Sequence, residues 1–171
     1  TGPSGPFSVT ISNAGTSFSG DFILTLLTNL DCPGDTITVP VTVHAEPNIA
    51  NIAGGGNYCE GDEIFLTALN STPNVAPITY TWEGPNNFSF TDTVDDGEPL
   101  TASVPNAGAA NAGVYTLRLT SAQGCLGDPE SVDVSVNPNP IIEDIQGEDD
   151  YCEGDNTTLS AVSNVSGIAS M

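Results

Sequence analysis

A chain of 171 residues carries 22 acidic side chains against a single basic one, Arg118, for a formal net charge of -21. Nucleic acid is excluded as a partner, because neutralising phosphates takes Lys or Arg, and anionic membrane surfaces are disfavoured for the same reason. No run approaches the roughly 20 apolar residues of a membrane span, and the absence of Lys rules out a Lys–Asn isopeptide crosslink.

The elements, taken in chain order, come twice. Gly20, Phe22, Leu24 and Leu26 precede Cys32, Gly34-Asp35, and the alternating Val39, Val41 and Val43. Ile49 and Ile52 predict a short strand, and "GGG" at Gly54–Gly56 a turn after it. "YCEGDEIFLTA" follows from Tyr58, where Ile64, Leu66 and Ala68 alternate with Phe65, Thr67 and Leu69 as in a half-buried strand. "ITYTWEG" places Ile78, Tyr80 and Trp82 on one face and Thr79, Thr81 and Glu83 on the other, and Gly84-Pro85 ends it. The spacing predicts further strands over 100–104, 114–120 and 130–137. In the second of these Tyr115, Leu117 and Leu119 face inward and Arg118 outward; in the third Val132, Val134 and Val136 face inward. "YCEGDNTTLSA" then begins at Tyr151, 93 positions after its first appearance.

The offset of 93 extends through the chain. Gly113, Leu117, Leu119 and Cys125 fall on Gly20, Leu24, Leu26 and Cys32, and Pro140 falls on Pro47. Self-similarity at a fixed period signals a repeat architecture. The expected division is 1–46 as the C-terminal half of one repeat, 47–139 as a complete repeat, and 140–171 as the N-terminal part of a third, a window on a longer array. Ninety-odd residues suffice for one small domain with its own core. About seven short strands per repeat, with turn signals between them, predict an all-β Greek-key sandwich.

The order of "GDEIFLTA", "YTWEGP" and "NAGVY" resembles strands B, C and F of an immunoglobulin-like domain. That resemblance implies a buried core of Trp82, Tyr115 and Leu117, with Tyr115 as the corner tyrosine. The two usual core cysteine positions are Ala68 and Leu117, so the central disulfide of such domains is absent, and the corner of the first repeat is Phe22, which has no hydroxyl. "TYTWEGPNNF", "NAGVYTLRLTSAQGC" and "VSVNPNP" extend the resemblance to the Ig-like or PKD-like repeats of large Bacteroidetes surface proteins, many of them adhesins or gliding-associated proteins exported by the type IX system. The PKD signature "WDFGDG" is replaced by "WEGPNN".

Cys32, Cys59, Cys125 and Cys152 place two cysteines at equivalent points of each repeat, which suggests disulfides and an oxidising, extracytoplasmic setting. A bond inside the repeat, Cys59–Cys125, would close a long loop and stabilise by about 4 kcal/mol. In an Ig-like sandwich, however, Cys59 precedes strand B and Cys125 follows strand F, at opposite ends and roughly 20 Å apart. The alternative is a bond across the junction between consecutive repeats. Both remain open on the sequence.

Glu60 and Asp62, with Asn139, Glu143 and Asp144, are the candidates for a calcium ion at a domain junction; the other reading of Glu60-Gly61-Asp62 is a turn in which Asp62 binds local backbone N–H groups. Asp92, Asp95, Asp96 and Glu98 read as a solvated acidic loop without EF-hand spacing. Thr36 and Thr93 sit in Asp-Thr-aliphatic triplets, which the family resemblance marks as O-glycosylation acceptors. The single histidine, His44, leaves no Ser–His–Asp arrangement, and no catalytic residue is expected. The expected function is a non-catalytic extracellular array, a stalk, surface filament or adhesin body. It needs no cofactor beyond the candidate calcium. Its partners would be neighbouring repeats and other copies of the chain. The alternative is a ligand- or carbohydrate-binding or spacer module of a secreted protein.

Overall fold

The computed structural model describes residues 6, 8–28 and 30–167. Among these residues twelve strands run in chain order: β1 (Gly20–Leu27), β2 (Pro33–Val41), β3 (Ile49–Ala53), β4 (Gly56–Cys59), β5 (Ile64–Asn70), β6 (Ile78–Gly84), β7 (Phe88–Val94), β8 (Ala102–Val104), β9 (Gly113–Thr120), β10 (Glu130–Asn137), β11 (Ile142–Gln146) and β12 (Ser160–Ser163). The only helical pieces among the described residues are single 3-10 turns at Thr16–Phe18 and Ala109–Asn111.

Strands β3 to β10 form a two-sheet sandwich. One sheet has the order β4-β10-β9-β6-β7 and the other β3-β5-β8. All pairings are antiparallel except β4 with β10, which run parallel from Val134↔Gly56 to Asn137↔Cys59. The chain leaves one sheet at β3 and joins the other at β4 through Gly54-Gly55. Gly54 has φ +104, and a Cβ there would run into the Phe65 carbonyl and Leu66, so the crossing requires glycine.

The predicted alternation becomes burial. Ile64, Leu66, Ala68, Ile78, Tyr80, Trp82, Tyr115, Leu117 and Leu119 form the core together with Val75, Leu100 and Val134. The core aromatics keep their polar tips satisfied, which burial demands. Trp82 Nε1 donates to the Leu100 carbonyl at 3.2 Å and Tyr80 Oη to that of Thr101 at 2.9 Å. Both bonds tie β6 to the segment that enters β8 in the facing sheet. Tyr115 Oη donates to the Asn111 carbonyl at 2.9 Å, four residues upstream, which is corner-tyrosine geometry. Every buried residue among those described lies between Pro47 and Val134, so this unit carries its own core.

Two hairpins flank the sandwich. β1 pairs with β2 from Gly20↔Val41 and Phe22↔Val39, the register that β9 and β10 repeat 93 residues later at Gly113↔Val134 and Tyr115↔Val132. β11 pairs with β12 from Ile142↔Ser163, matching Ile49↔Asn70 between β3 and β5.

Three details differ from the sequence reading. The unit has eight strands rather than about seven, because β4 follows the glycine turn as a strand of its own. Asp92 belongs to β7, paired with Tyr80, and not to an acidic loop. The loop proper is Asp95–Glu98, where Asp96 Oδ2 accepts the Asn74 N–H at 3.0 Å. The strand expected over 100–104 begins at Ala102.

Candidate functional site: the two ends of the sandwich

Cys59 ends β4. The following Glu60-Gly61-Asp62 is a tight turn in which Gly61 takes φ +93 and Asp62 Oδ2 accepts the Cys59 N–H at 2.8 Å. A carboxylate accepting the amide three residues before it is a local cap, and it explains the spacing of "CEGD". The same turn recurs at Cys152, whose N–H reaches Asp155 Oδ2 at 2.9 Å with Gly154 at φ +97. This end of the unit is where β10 leaves it. Asn137 Nδ2 donates to the Tyr58 carbonyl at 3.3 Å, Asn139 Nδ2 to the Glu60 carbonyl at 2.7 Å, and the Glu60 N–H to the Asn137 carbonyl at 2.8 Å.

Cys125 lies at the other end, in the turn between β9 and β10. Its N–H donates to Ser121 Oγ at 3.1 Å and its carbonyl accepts the Ser121 N–H at 2.9 Å. Cys32 occupies the equivalent turn, with its N–H on Thr28 Oγ1 at 3.1 Å and its carbonyl accepting the Thr28 N–H at 3.1 Å. Where this turn folds over, the chain enters the unit. Cys125 Sγ lies 4.0 Å from the His44 carbonyl oxygen, and Gly127 packs so closely on the Pro47 carbonyl that no side chain would fit. His44 itself is exposed. The four thiols are unpaired in this structure, three exposed and Cys125 half-buried.

Of the calcium candidates, the structure brings Asn139 to Glu60, but through the backbone carbonyl. Asp62 is turned to its own turn, and Asp144 accepts from Gln146 Nε2 at 3.2 Å. Among the described residues no three His, Cys, Asp or Glu side chains converge as a metal cluster. Thr36 lies on exposed β2. Thr93 Oγ1 is 3.1 Å from Thr79 Oγ1 on the outer face of β6–β7, where Thr81 and Thr91 make the next rung at 2.9 Å. Arg118 pairs with Glu83 on this solvated face at 3.4 Å, an ion pair worth little in water.

Burial raises the Tyr115 hydroxyl above its ordinary value. Burial also raises that of Tyr80, and the Asp92 carboxylate adds to the shift. Both are core residues, and neither faces a cleft. An open groove of about 630 Å³ is lined by Val9, Phe22, Leu24, Leu26 and Val39 of the first hairpin and its neighbour. Its lining is mostly apolar and carries no titratable group. No helix among the described residues is long and apolar enough to cross a membrane.

Sequence reasoning placed the thiols at opposite ends but missed what they touch. β4 announces itself only by Tyr58 in "GNYC", a strand too short to show a period. Its parallel pairing, which sets Cys59 beside Asn137, has no local signal.

Against known proteins, residues 57–140 match the family model described as PKD-like domain. No curated protein matches the chain. Among solved structures, the chain is similar to the PKD domain of an M14-like peptidase from Thermoplasmatales archaeon SCGC AB-540-F20, at 23% identity over 57% of this chain and all of that one, with a TM-score of 0.46. It is also similar to a marsupial T cell receptor, at 15% identity over 80% of this chain and 51% of that one, TM-score 0.47. A third is a Ca2+-stabilized adhesin that helps an Antarctic bacterium reach out and bind ice, at 17% identity over 62% of this chain and 27% of that one, TM-score 0.44. Over residues 57–140 the chain thus matches a PKD-like domain and folds as a two-sheet sandwich.

Proposed function

We propose that the chain serves as a non-catalytic, extracellular structural module, repeated head to tail as a stalk, filament or adhesin body. The observation that supports this most is the recurrence, at an offset of 93, of the same strand registers and the same two cysteine turns on either side of the central sandwich. Units that contact chiefly their neighbours let length grow without redesign. A net charge of -21 keeps such a surface soluble and self-repelling.

A carbohydrate-binding role would call for an exposed aromatic platform. The outer face of β6, β7 and β9 offers threonine hydroxyls instead: Thr79, Thr81, Thr91, Thr93 and Thr116. On the array reading Thr36 and Thr93 are the positions for attached sugar, and intact mass of the native protein reports it.

Small-angle X-ray scattering of the 171-residue chain tests the array. A compact globule of this length has a radius of gyration of about 16 Å. Units strung end to end give a clearly larger value with a long tail in the distance distribution. A compact, near-spherical particle would overturn the reading.

A further inference from the structure

Each unit holds one cysteine at each end, and both cysteines adjoin the same repeat position. At the entrance, Cys125 Sγ lies 4.0 Å from the carbonyl oxygen of His44 in the linker. The residue 93 positions after His44 is Asn137, which ends β10 at the exit. The Asn137 carbonyl accepts the N–H of Glu60, and Asn137 is the ladder partner of Cys59. A linker carbonyl of this type is therefore flanked by the Cys59-type residue of the unit before it and touched by the Cys125-type thiol of the unit after it. Neighbouring strands lie about 4.8 Å apart, so at each junction the Cys59-type residue and the Cys125-type thiol adjoin one and the same linker position.

We infer that the Cys59-type cysteine of each unit forms a disulfide with the Cys125-type cysteine of the unit that follows, stapling the array at every junction. This rests on the head-to-tail reading above. Within one unit the bond is excluded by distance. Cys59 lies beyond the Gly113 end of β9 and Cys125 beyond its Thr120 end, and an eight-residue strand separates them by about 25 Å. Forming the bond joins the two sulfurs. Each thiol gives up its proton, and the two electrons reduce a disulfide oxidant such as oxidised glutathione to two thiols. The Cys32 and Cys152 turns repeat those of Cys125 and Cys59, so they present the same halves to their own neighbours.

Residues 47–139 carry their own core, so two copies joined from Asn139 to Pro47 make the test. One tandem carries Cys125→Ser in the first copy and Cys59→Ser in the second, leaving only the facing thiols. A mirrored tandem carries Cys59→Ser in the first and Cys125→Ser in the second, leaving only the outer thiols. Both, with the single unrestricted unit, are equilibrated in dilute glutathione buffer, alkylated and weighed. The facing pair is expected to be lost as one bond in the monomer, with neither alkyl nor glutathione adducts. The mirrored tandem and the single unit are expected to form no internal bond. A facing pair that stays open, or closure in either control, overturns the inference. Scattering on the tandem with all four cysteines replaced by serine separates the two readings. An elongated particle keeps the array even where the bond fails, whereas a folded-back one removes the array itself.

Discussion

The β9–β10 hairpin and the β1–β2 hairpin share one register, one closing turn and nearly one apolar pattern, yet only the first is inside a core. Tyr115, Leu117 and Leu119 are at most 1% exposed; their counterparts Phe22, Leu24 and Leu26 are 37%, 48% and 44% exposed. Ile49 and Ile142 differ in the same way. What differs is the facing sheet. β9 lies under β5 and β8 and beside β6, and those strands bring Ile64, Leu66 and Trp82 from far away in the chain. Local pairing is thus encoded hairpin by hairpin, whereas burial, worth roughly 1.5–3 kcal/mol per large apolar side chain, is supplied by partners.

The largest expected effect breaks the buried side of this comparison. Trp82→Ala removes a fully buried ring and its bond to the Leu100 carbonyl, and is expected to cost about 3–5 kcal/mol in urea unfolding. Leu24→Ala, on the exposed hairpin, is expected to cost well under 1 kcal/mol. Equal losses would mean that another copy of the chain covers the hairpin in solution.

Tyr115→Phe gives the corner the residue that the first hairpin already has at Phe22. It removes only the hydroxyl that serves the Asn111 carbonyl, so a loss of about 1 kcal/mol is expected from the same unfolding curves. No loss would mean that the corner bond is not what orders the segment before β9.

The smallest effect appears only in alkali. Tyr80 and Tyr115 have raised hydroxyl pKa values when folded, so the folded state holds their protons after the unfolded chain has released them. Their contribution is fully present below the ordinary tyrosine value of about 10 and is lost as pH rises from there through the folded values. Thermal unfolding followed from neutral pH to strong alkali should show a falling midpoint above about pH 10. Tyr80→Phe should flatten that fall.

Much of the sandwich could be read in the chain. "IFLTA", "ITYTW" and "VYTLRL" alternate with period two, and each became a strand with the expected face inward. β7 was hidden because "FSFTDTV" carries an acidic residue in a strand whose polar face is solvated, which looks like a loop when no neighbour is known. The cysteine ends were legible as opposite. Their contacts with His44 and beside Asn137 were not, because each joins residues about 80 positions apart.

The amino-acid sequence by itself determined the strands with period-two alternation, their inward faces, the Gly61 and Gly154 turns with their aspartate caps, and the spacing of 93 that repeats them. These follow from side-chain alternation and from backbone angles that only particular residues accept. Tertiary structure decided that the chain crosses between sheets at Gly54, that β4 runs parallel to β10 and sets Cys59 beside Asn137, and that the Cys125 thiol meets the linker at His44. Those choices depend on which distant strands share a core, and no short stretch of sequence carries that information.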